Sequence, residues 1–331
     1  MKAAAAWMLL GACVVASAAR AEDKCSPPRI INQVQMTRLA ASNMDLVPFT
    51  INGRETHFLF DTGGALTQIG QTAARSLGLI VQPGNMEIYD VRGNVSNSMA
   101  AVPDFVLGHQ HGTHGIFPVA HNLDAVNPDP FDGIFALDYV QNFDVEMDFG
   151  TDLLNVFSSD HCPGQVSAWG PAYVAVIPFT VEDRHIFITV MLDGHPLKAL
   201  VDTGTTKTLL RIDLAESQYG LTLGAADTPE DGVLNGDASL KTYRHVFGEM
   251  SFDNIAVHHP HITIFPNVVV VTSDPWRHVR KLYQVDIANA PQLIIGMDVL
   301  RQLRLYMAFG EGKLYISPAS APAAAPAREN L

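Results

Sequence analysis

The sequence predicts an all-β protein of two similar lobes, and three observations carry that reading. An apolar run ending in Asp-Thr-Gly occurs twice, as Phe58-Leu59-Phe60-Asp61-Thr62-Gly63-Gly64 and, 141 residues later, as Ala199-Leu200-Val201-Asp202-Thr203-Gly204-Thr205. A second pair of related segments follows at an offset of 160 residues: Asp132-Gly133-Ile134-Phe135-Ala136-Leu137-Asp138 and Gln292-Leu293-Ile294-Ile295-Gly296-Met297-Asp298. The halves therefore differ by an insertion and share one plan, as a duplicated domain does. Finally, 25 Gly and 20 Pro among 331 residues favour many strands and turns over long helices.

Taken in order, the chain starts with a secretory signal over residues 1–21. Lys2 precedes an apolar run from Ala3 to Ala16, and Ala19-Arg20-Ala21 has the small-x-small form of a cleavage site. The mature protein is expected to start at Glu22 and to be exported, periplasmic or secreted. Leu10-Gly11-Ala12-Cys13 offers a lipoprotein anchor at Cys13 as the alternative. No later stretch has the length of a membrane span. About 310 residues remain, enough for two lobes with separate cores. The net charge of −13 argues against nucleic acid or an anionic membrane as partner.

Strands are expected from Val34 to Leu39 and from Leu46 to Ile51, with Asn52-Gly53 turning the second into the strand that ends at Phe60. Ile69, Ala73 and Leu77 stand at helical spacing, so a helix is expected from Thr67 to Leu77, ended by Gly78. The second half repeats this punctuation: Val190-Met191-Leu192, turn Asp193-Gly194, strand Leu197 to Val201, and a helix from about Asp213 to Tyr219 ended by Gly220. Asp138 and Asp298 each precede a short apolar run and read as helix N-caps. Strand-like segments Ile262-Thr263-Ile264-Phe265 and Val268-Val269-Val270-Val271-Thr272 flank Pro266-Asn267. The tail from Ser317 is Ala/Pro-rich and low in complexity.

With its paired Asp-Thr-Gly loops, each behind an apolar strand, and its apolar-apolar-small segments further along each half, the chain resembles the aspartic proteases of the retropepsin-like and pepsin-like group in exported bacterial form. The resemblance implies a bilobal acid-protease fold: a signal peptide (1–21), an N-terminal lobe (22–160), a connector (161–170), a C-terminal lobe (171–317) and a disordered tail (318–331). It implies that Asp61 and Asp202 meet at the floor of a cleft and activate a water for hydrolysis of an extended peptide. That chemistry uses one ionised and one protonated carboxyl, which is why two halves are needed. Thr62 and Thr203 would bond across the pseudo-twofold axis, with Gly63 and Gly204 allowing close backbone approach and Thr205 offering its hydroxyl to the neighbouring carboxylate. Gly64 departs from the Ser, Thr or Ala usual at its place.

The same resemblance places candidate flaps at Glu87 to Ser98, with Tyr89 and Gly93, and at Glu230 to Lys241, with Gly232 and Gly236. It also sets the N-terminal segment beside the connector, so Cys25 and Cys162 are expected to form a disulfide, free thiols being the alternative. No cofactor and no metal are expected. His109, His111 and His114, and His258, His259 and His261, form clusters without an acidic or Cys ligand at a familiar zinc spacing, and read as exposed turn residues. One chain supplies both aspartates, so a monomer is expected. The rival reading is a non-catalytic peptide-binding protein of the same fold.

Overall fold

The computed structural model describes residues 25–89, 95–121, 123, 130–166, 175–272, 280–284 and 291–321. The expected signal segment with Cys13, the flap glycine Gly93 and most of the Ala/Pro tail lie outside them. In the N-terminal half the strands are β1 (Ile30–Gln35), β2 (Thr37–Arg38), β3 (Asp45–Ile51), β4 (Arg54–Phe60), β5 (Gln68–Gly70), β6 (Ile80–Tyr89), β7 (Val95–Leu107), β8 (Gln110–Ala120), β9 (Gly133–Phe135), β10 (Asp144–Asp148) and β11 (Leu153–Phe157). Helix α1 (Gln71–Ser76) follows β5.

Strands β3, β4, β9, β5, β8 and β7 pair in that order, and β7 returns to β3 through Phe49↔Leu107, Thr50↔Val106 and Ile51↔Phe105, closing a six-stranded barrel. Closure removes the free edges that an open sheet would expose. Strand β4 is launched by the two-residue Asn52-Gly53 turn, whose φ values of 50° and 73° both fall in the left-handed region of a type I′ hairpin. Phe58, Phe60, Phe117 and Phe135 are fully buried inside the barrel. Each contributes about 1.5–3 kcal/mol through burial, and edge or stacked ring contacts such as Phe49–Phe58 at 4.6 Å add to this.

The C-terminal half contains β12 (Ala175–Glu182), β13 (His185–Leu192), β14 (His195–Val201), β15 (Leu209–Arg211), β16 (Glu230–Val233), β17 (Lys241–Val246), β18 (Glu249–Phe252), β19 (Ile255–His258), β20 (His261–Phe265), β21 (Val268–Thr272), β22 (Arg280–Gln284), β23 (Leu293–Ile295), β24 (Leu303–Ala308) and β25 (Lys313–Pro318), with helices α2 (Ile212–Ser217) and α3 (Met297–Leu300). The barrel is repeated as β13, β14, β23, β15, β20 and β17, and β18 closes it by pairing with β13. One feature differs from the first lobe. The long hairpin that runs straight as β7 and β8 is bent here, broken between β17 and β18 at Phe247-Gly248 and between β19 and β20 at His259-Pro260. Pro260 has no N–H for the ladder and His259 takes a φ of 52°, so the regular ladder is interrupted there and two bonds bridge the gap, Phe247 N to Pro260 O at 3.1 Å and His259 N to Gly248 O at 2.9 Å.

Between the barrels lies a six-stranded antiparallel sheet in the order β1, β11, β10, β24, β25, β12, three strands from each half. Its central pair is β10 with β24, where Glu146 faces Tyr306 and Asp148 faces Arg304. The first half supplies buried acids here and the second half their partners. Arg304 Nε donates to Glu146 at 2.6 Å, and Arg301 donates to Asp45 at 2.7 Å and to Asp152 at 2.6 Å. Cys25 and Cys162 are joined by a disulfide with Cα atoms 4.9 Å apart, which ties the start of the described chain to the connector.

Helix α1 is shorter than its apolar spacing predicts, whereas α2 starts one residue before and ends two before the expected Asp213 to Tyr219. Residues Gln68–Gly70 and Leu209–Arg211, expected inside or next to helix, pair as strands with β9 and β23, because barrel closure uses their main-chain groups. Gly78 and Gly220 do end these segments, at φ 66° and 65°.

His161, at the head of the connector, is 3 % exposed at its side chain. Its Nδ1 faces the Cys162 carbonyl at 2.9 Å and its Nε2 faces Asp144 at 2.5 Å, two acceptors that both call for a ring proton. Asp144 also accepts from Tyr306 Oη and Phe309 N. Burial opposes charge on the ring, but the bonds to Asp144 and to the carbonyl outweigh it, and the His161 pKa lies above its ordinary value. A raised folded-state pKa contributes stability that is complete below the unfolded value of about 6.5 and is lost as pH rises through the folded one. Urea midpoints measured across this range should therefore fall with rising pH in the parent protein, and this fall should be absent in His161→Gln.

Candidate active site

The last three residues of β4 and of β14, ending at Phe60 and Val201, are apolar and buried, so each strand delivers its aspartate at the point where the barrel ends. The departure is fixed by the parallel neighbour strand: Asp61 N donates to Phe135 O at 2.9 Å and Asp202 N to Ile295 O at 3.1 Å. The two loops then lock to one another. Thr62 N donates to Thr203 Oγ1 at 3.0 Å and Thr203 N to Thr62 Oγ1 at 3.1 Å, while each hydroxyl donates to the carbonyl beneath the opposite loop, Thr62 to Val201 and Thr203 to Phe60, both at 2.7 Å. Thr62 and Thr203 are buried, so none of these groups has water as a substitute partner.

Crossing brings the aspartates together. A Cβ added to Gly63 would lie 2.3 Å from the Asp202 carboxyl carbon, and one added to Gly204 would lie 2.4 Å from that of Asp61. Only glycine lets each carboxyl rest against the opposite loop. Gly63 N and Gly204 N donate to their own aspartates at 2.9 and 2.8 Å. The carboxyls reach each other by hydrogen bond, and burial raises both pKa values. Asp202 is pushed up well above the carboxylate range, the charge on Asp61 adding to the effect of burial. Asp61 is drawn back by Asp202 and by the N–H groups of Gly63 and Gly64. Two such groups share one proton and titrate as a pair.

The residues beyond the loops hold a further, duplicated feature. Asp138 and Asp298 do not cap helices: the cap positions are Ala136 and Gly296, and neither makes a side-chain cap. Instead the Asp138 carboxylate accepts from Thr67 N at 3.1 Å and Thr67 Oγ1 at 2.6 Å, and Asp298 accepts from Thr208 N at 2.9 Å and Thr208 Oγ1 at 2.6 Å. The threonine hydroxyls in turn accept from Ala136 N and Gly296 N, each at 3.1 Å. A helix of one turn offers a capping carboxylate little, whereas an N–H and a hydroxyl together satisfy it fully. Thr67 and Thr208 were missed from sequence, although a signal existed, since both stand six residues after their aspartate.

Hairpins overlie both candidate flap segments. In the first lobe β6 pairs with β7 as far as Tyr89↔Val95. In the second, β16 pairs with β17, the register shifts between Glu230 and Gly232, and a single 3-10 turn spans Leu234–Gly236. Lys207, in the Asp202 loop, is tied to this hairpin by its 2.7 Å bond to Asp231. Thr205 contributes its carbonyl to Met297 N at 2.9 Å. His109, His111, His114, His258, His259 and His261 are outside this site, and His111 pairs with Asp104. Among the described residues no three His, Cys, Asp or Glu side chains are grouped to hold a metal.

Two barrels that each contribute one aspartate to a shared pair define the bilobal acid-protease class. Comparison with family models extends this: the model described as aspartyl protease matches residues 47–139 and 188–299, one stretch per lobe, and the chain belongs to that family. No curated individual protein matches the chain.

The crossed threonines yield a direct test. Thr203→Val removes the donor to Phe60 O and the acceptor of Thr62 N, and should cost about 1–3 kcal/mol for each buried group left unpaired. Thr203→Ser keeps both bonds and should lie close to the parent protein in urea unfolding.

Proposed function

We propose that this chain is an aspartic endopeptidase in which Asp61 and Asp202 activate a water between them. The observation that carries the reading is the crossing of the loops, which sets each carboxyl against the glycine of the other motif and makes the two share a proton. Asp202, raised the further of the two by burial and by the charge on Asp61, holds the proton, and Asp61 is the ionised member. Asp61 takes a proton from the water as its oxygen bonds to the scissile carbonyl carbon, while Asp202 gives its proton to the carbonyl oxygen. Return of a proton to the amide nitrogen breaks the C–N bond, releasing an acid and an amine and leaving one proton on the pair.

The substrate is an extended peptide or protein segment, held as an added strand by the hairpins above the pair. One chain provides both aspartates, so a monomer is sufficient. Work outside the cytoplasm fits the Cys25–Cys162 bond, and among the described residues no helix is long and apolar enough to cross a membrane.

Cleavage of an unfolded protein should fall by about 10²–10⁴-fold in Asp61→Asn and in Asp202→Asn. A protein that merely binds peptides would show no cleavage to lose and would retain binding in both variants. The active pair holds one proton, and both pKa values are raised, so activity is lost as pH rises through the upper ionisation. The alkaline limb of the rate profile should lie above the ordinary carboxylate value of about 4. A limb at or below that value would contradict the shared-proton arrangement.

A further inference from the structure

The two aspartate loops rest differently on the main chain beneath them. In the second lobe the segment beneath the loop is Gly296-Met297-Asp298. Met297 N donates to Thr205 O at 2.9 Å and Asp298 N to Thr206 O at 3.1 Å, so the loop sits directly on this main chain. The contact is possible because residue 296 has no side chain: a Cβ there would lie 2.4 Å from Lys207 O and 3.0 Å from Thr205 O. In the first lobe the corresponding residue is Ala136, fully buried, which carries that Cβ. The N–H groups of Leu137 and Asp138, which correspond to Met297 and Asp298, make no such bond to residues 64–66 among the described residues. The strand-end bonds of Asp61 and Asp202 and the Thr67–Asp138 and Thr208–Asp298 pairs are matched between the two lobes.

The second departure from symmetry falls on the loop itself. Gly64 stands where the other loop has Thr205, the residue whose carbonyl is among those that crowd position 296. A Cβ on Gly64 would lie 3.1 Å from Asp61 Oδ2. A side chain at 64 would therefore press on the carboxylate.

We infer that Ala136 is a positioning residue: its methyl holds the Asp61 loop off the main chain beneath it, so that Asp61 is carried on the looser loop of the pair and Asp202 on the fixed one. The catalytic consequence rests on the peptidase reading, and the structural one does not. An aspartate on a loop that lacks the two main-chain bonds from below is aligned less firmly than its partner, and alignment enters the rate directly.

Ala136→Gly removes the methyl and lets the loop settle as it does in the second lobe. Amide hydrogen exchange should then show protection at Leu137 and Asp138 rising about tenfold or more, towards that of Met297 and Asp298. Peptide cleavage should show kcat rising about two- to five-fold with KM unchanged. The reverse change, Gly296→Ala, should strip protection from Met297 and Asp298 and lower kcat. Unchanged protection at Leu137 and Asp138 in a folded Ala136→Gly protein overturns the inference whatever the activity. Gained protection with kcat unaltered overturns the positioning role. If the parent cleaves nothing, the peptidase reading fails by itself, and the exchange measurement still decides whether Ala136 lifts the loop.

Discussion

The crossed hydrogen bonds between Thr62 and Thr203 are the constraint from which the rest of this molecule follows. Each lobe is built on the same strand plan, and one continuous apolar core runs through both in place of the two separate cores expected from chain length. Once a buried threonine from one loop reaches the main chain of the other, the lobes have one permitted relative placement, because both hydroxyls and both N–H groups must be satisfied where no water reaches. The carboxyls are then brought together whether or not their charges favour it. The raised pKa values are a result of that enforced proximity and burial, so the chemistry of the pair derives from packing two residues away.

The sheet between the barrels answers the same requirement from below. Its two halves meet at β10 and β24, and the pairing across the join is charged in one direction, with acids from the first half and arginines from the second. Arg301 reaches Asp45, Asp152 and the carbonyl of Asn43, all in the first half. Buried pairs of this kind are weak as a source of net stability. They are demanding as to geometry, since a lobe displaced by one register would strand several acids without a cation, and that makes them well suited to fixing how the lobes sit.

Much of this was legible in the sequence, because the features concerned are local. Asn52-Gly53 and Asp193-Gly194 announce type I′ hairpins through the left-handed conformation that they accept, and the Asp-Thr-Gly pair announces the duplication by repetition. The expected bond between Cys25 and Cys162 is present in the structure. What sequence reading lost depends on partners far away in the chain. Ile69 has helical spacing from Ala73, yet it becomes strand because β9 lies beside it, which no local pattern reveals. Asp138 has the position of a cap and was read as one, because Thr67, its actual partner, is 71 residues earlier. The interruption at His259-Pro260 depends on Phe247-Gly248, which face it across the hairpin. The exchange of Gly296 for Ala136 is small in sequence terms, and its meaning lies in the carbonyls that crowd position 296 in the other lobe.

The disulfide has a topological effect that neither its strength nor its position suggests. By joining Cys25 to Cys162 it closes a covalent ring of chain that contains all of the first barrel and none of the second. A backbone cut anywhere inside the ring, including in the β6–β7 hairpin, leaves two pieces still joined through sulfur, and the nicked barrel keeps its strands in place to re-pair. A cut at the corresponding place in the second barrel releases everything that follows it, including β24 and β25 and the arginines that hold the lobes in register. In surroundings rich in proteases, the two halves of this duplicated chain therefore age differently, and damage to the molecule becomes irreversible first on the C-terminal side.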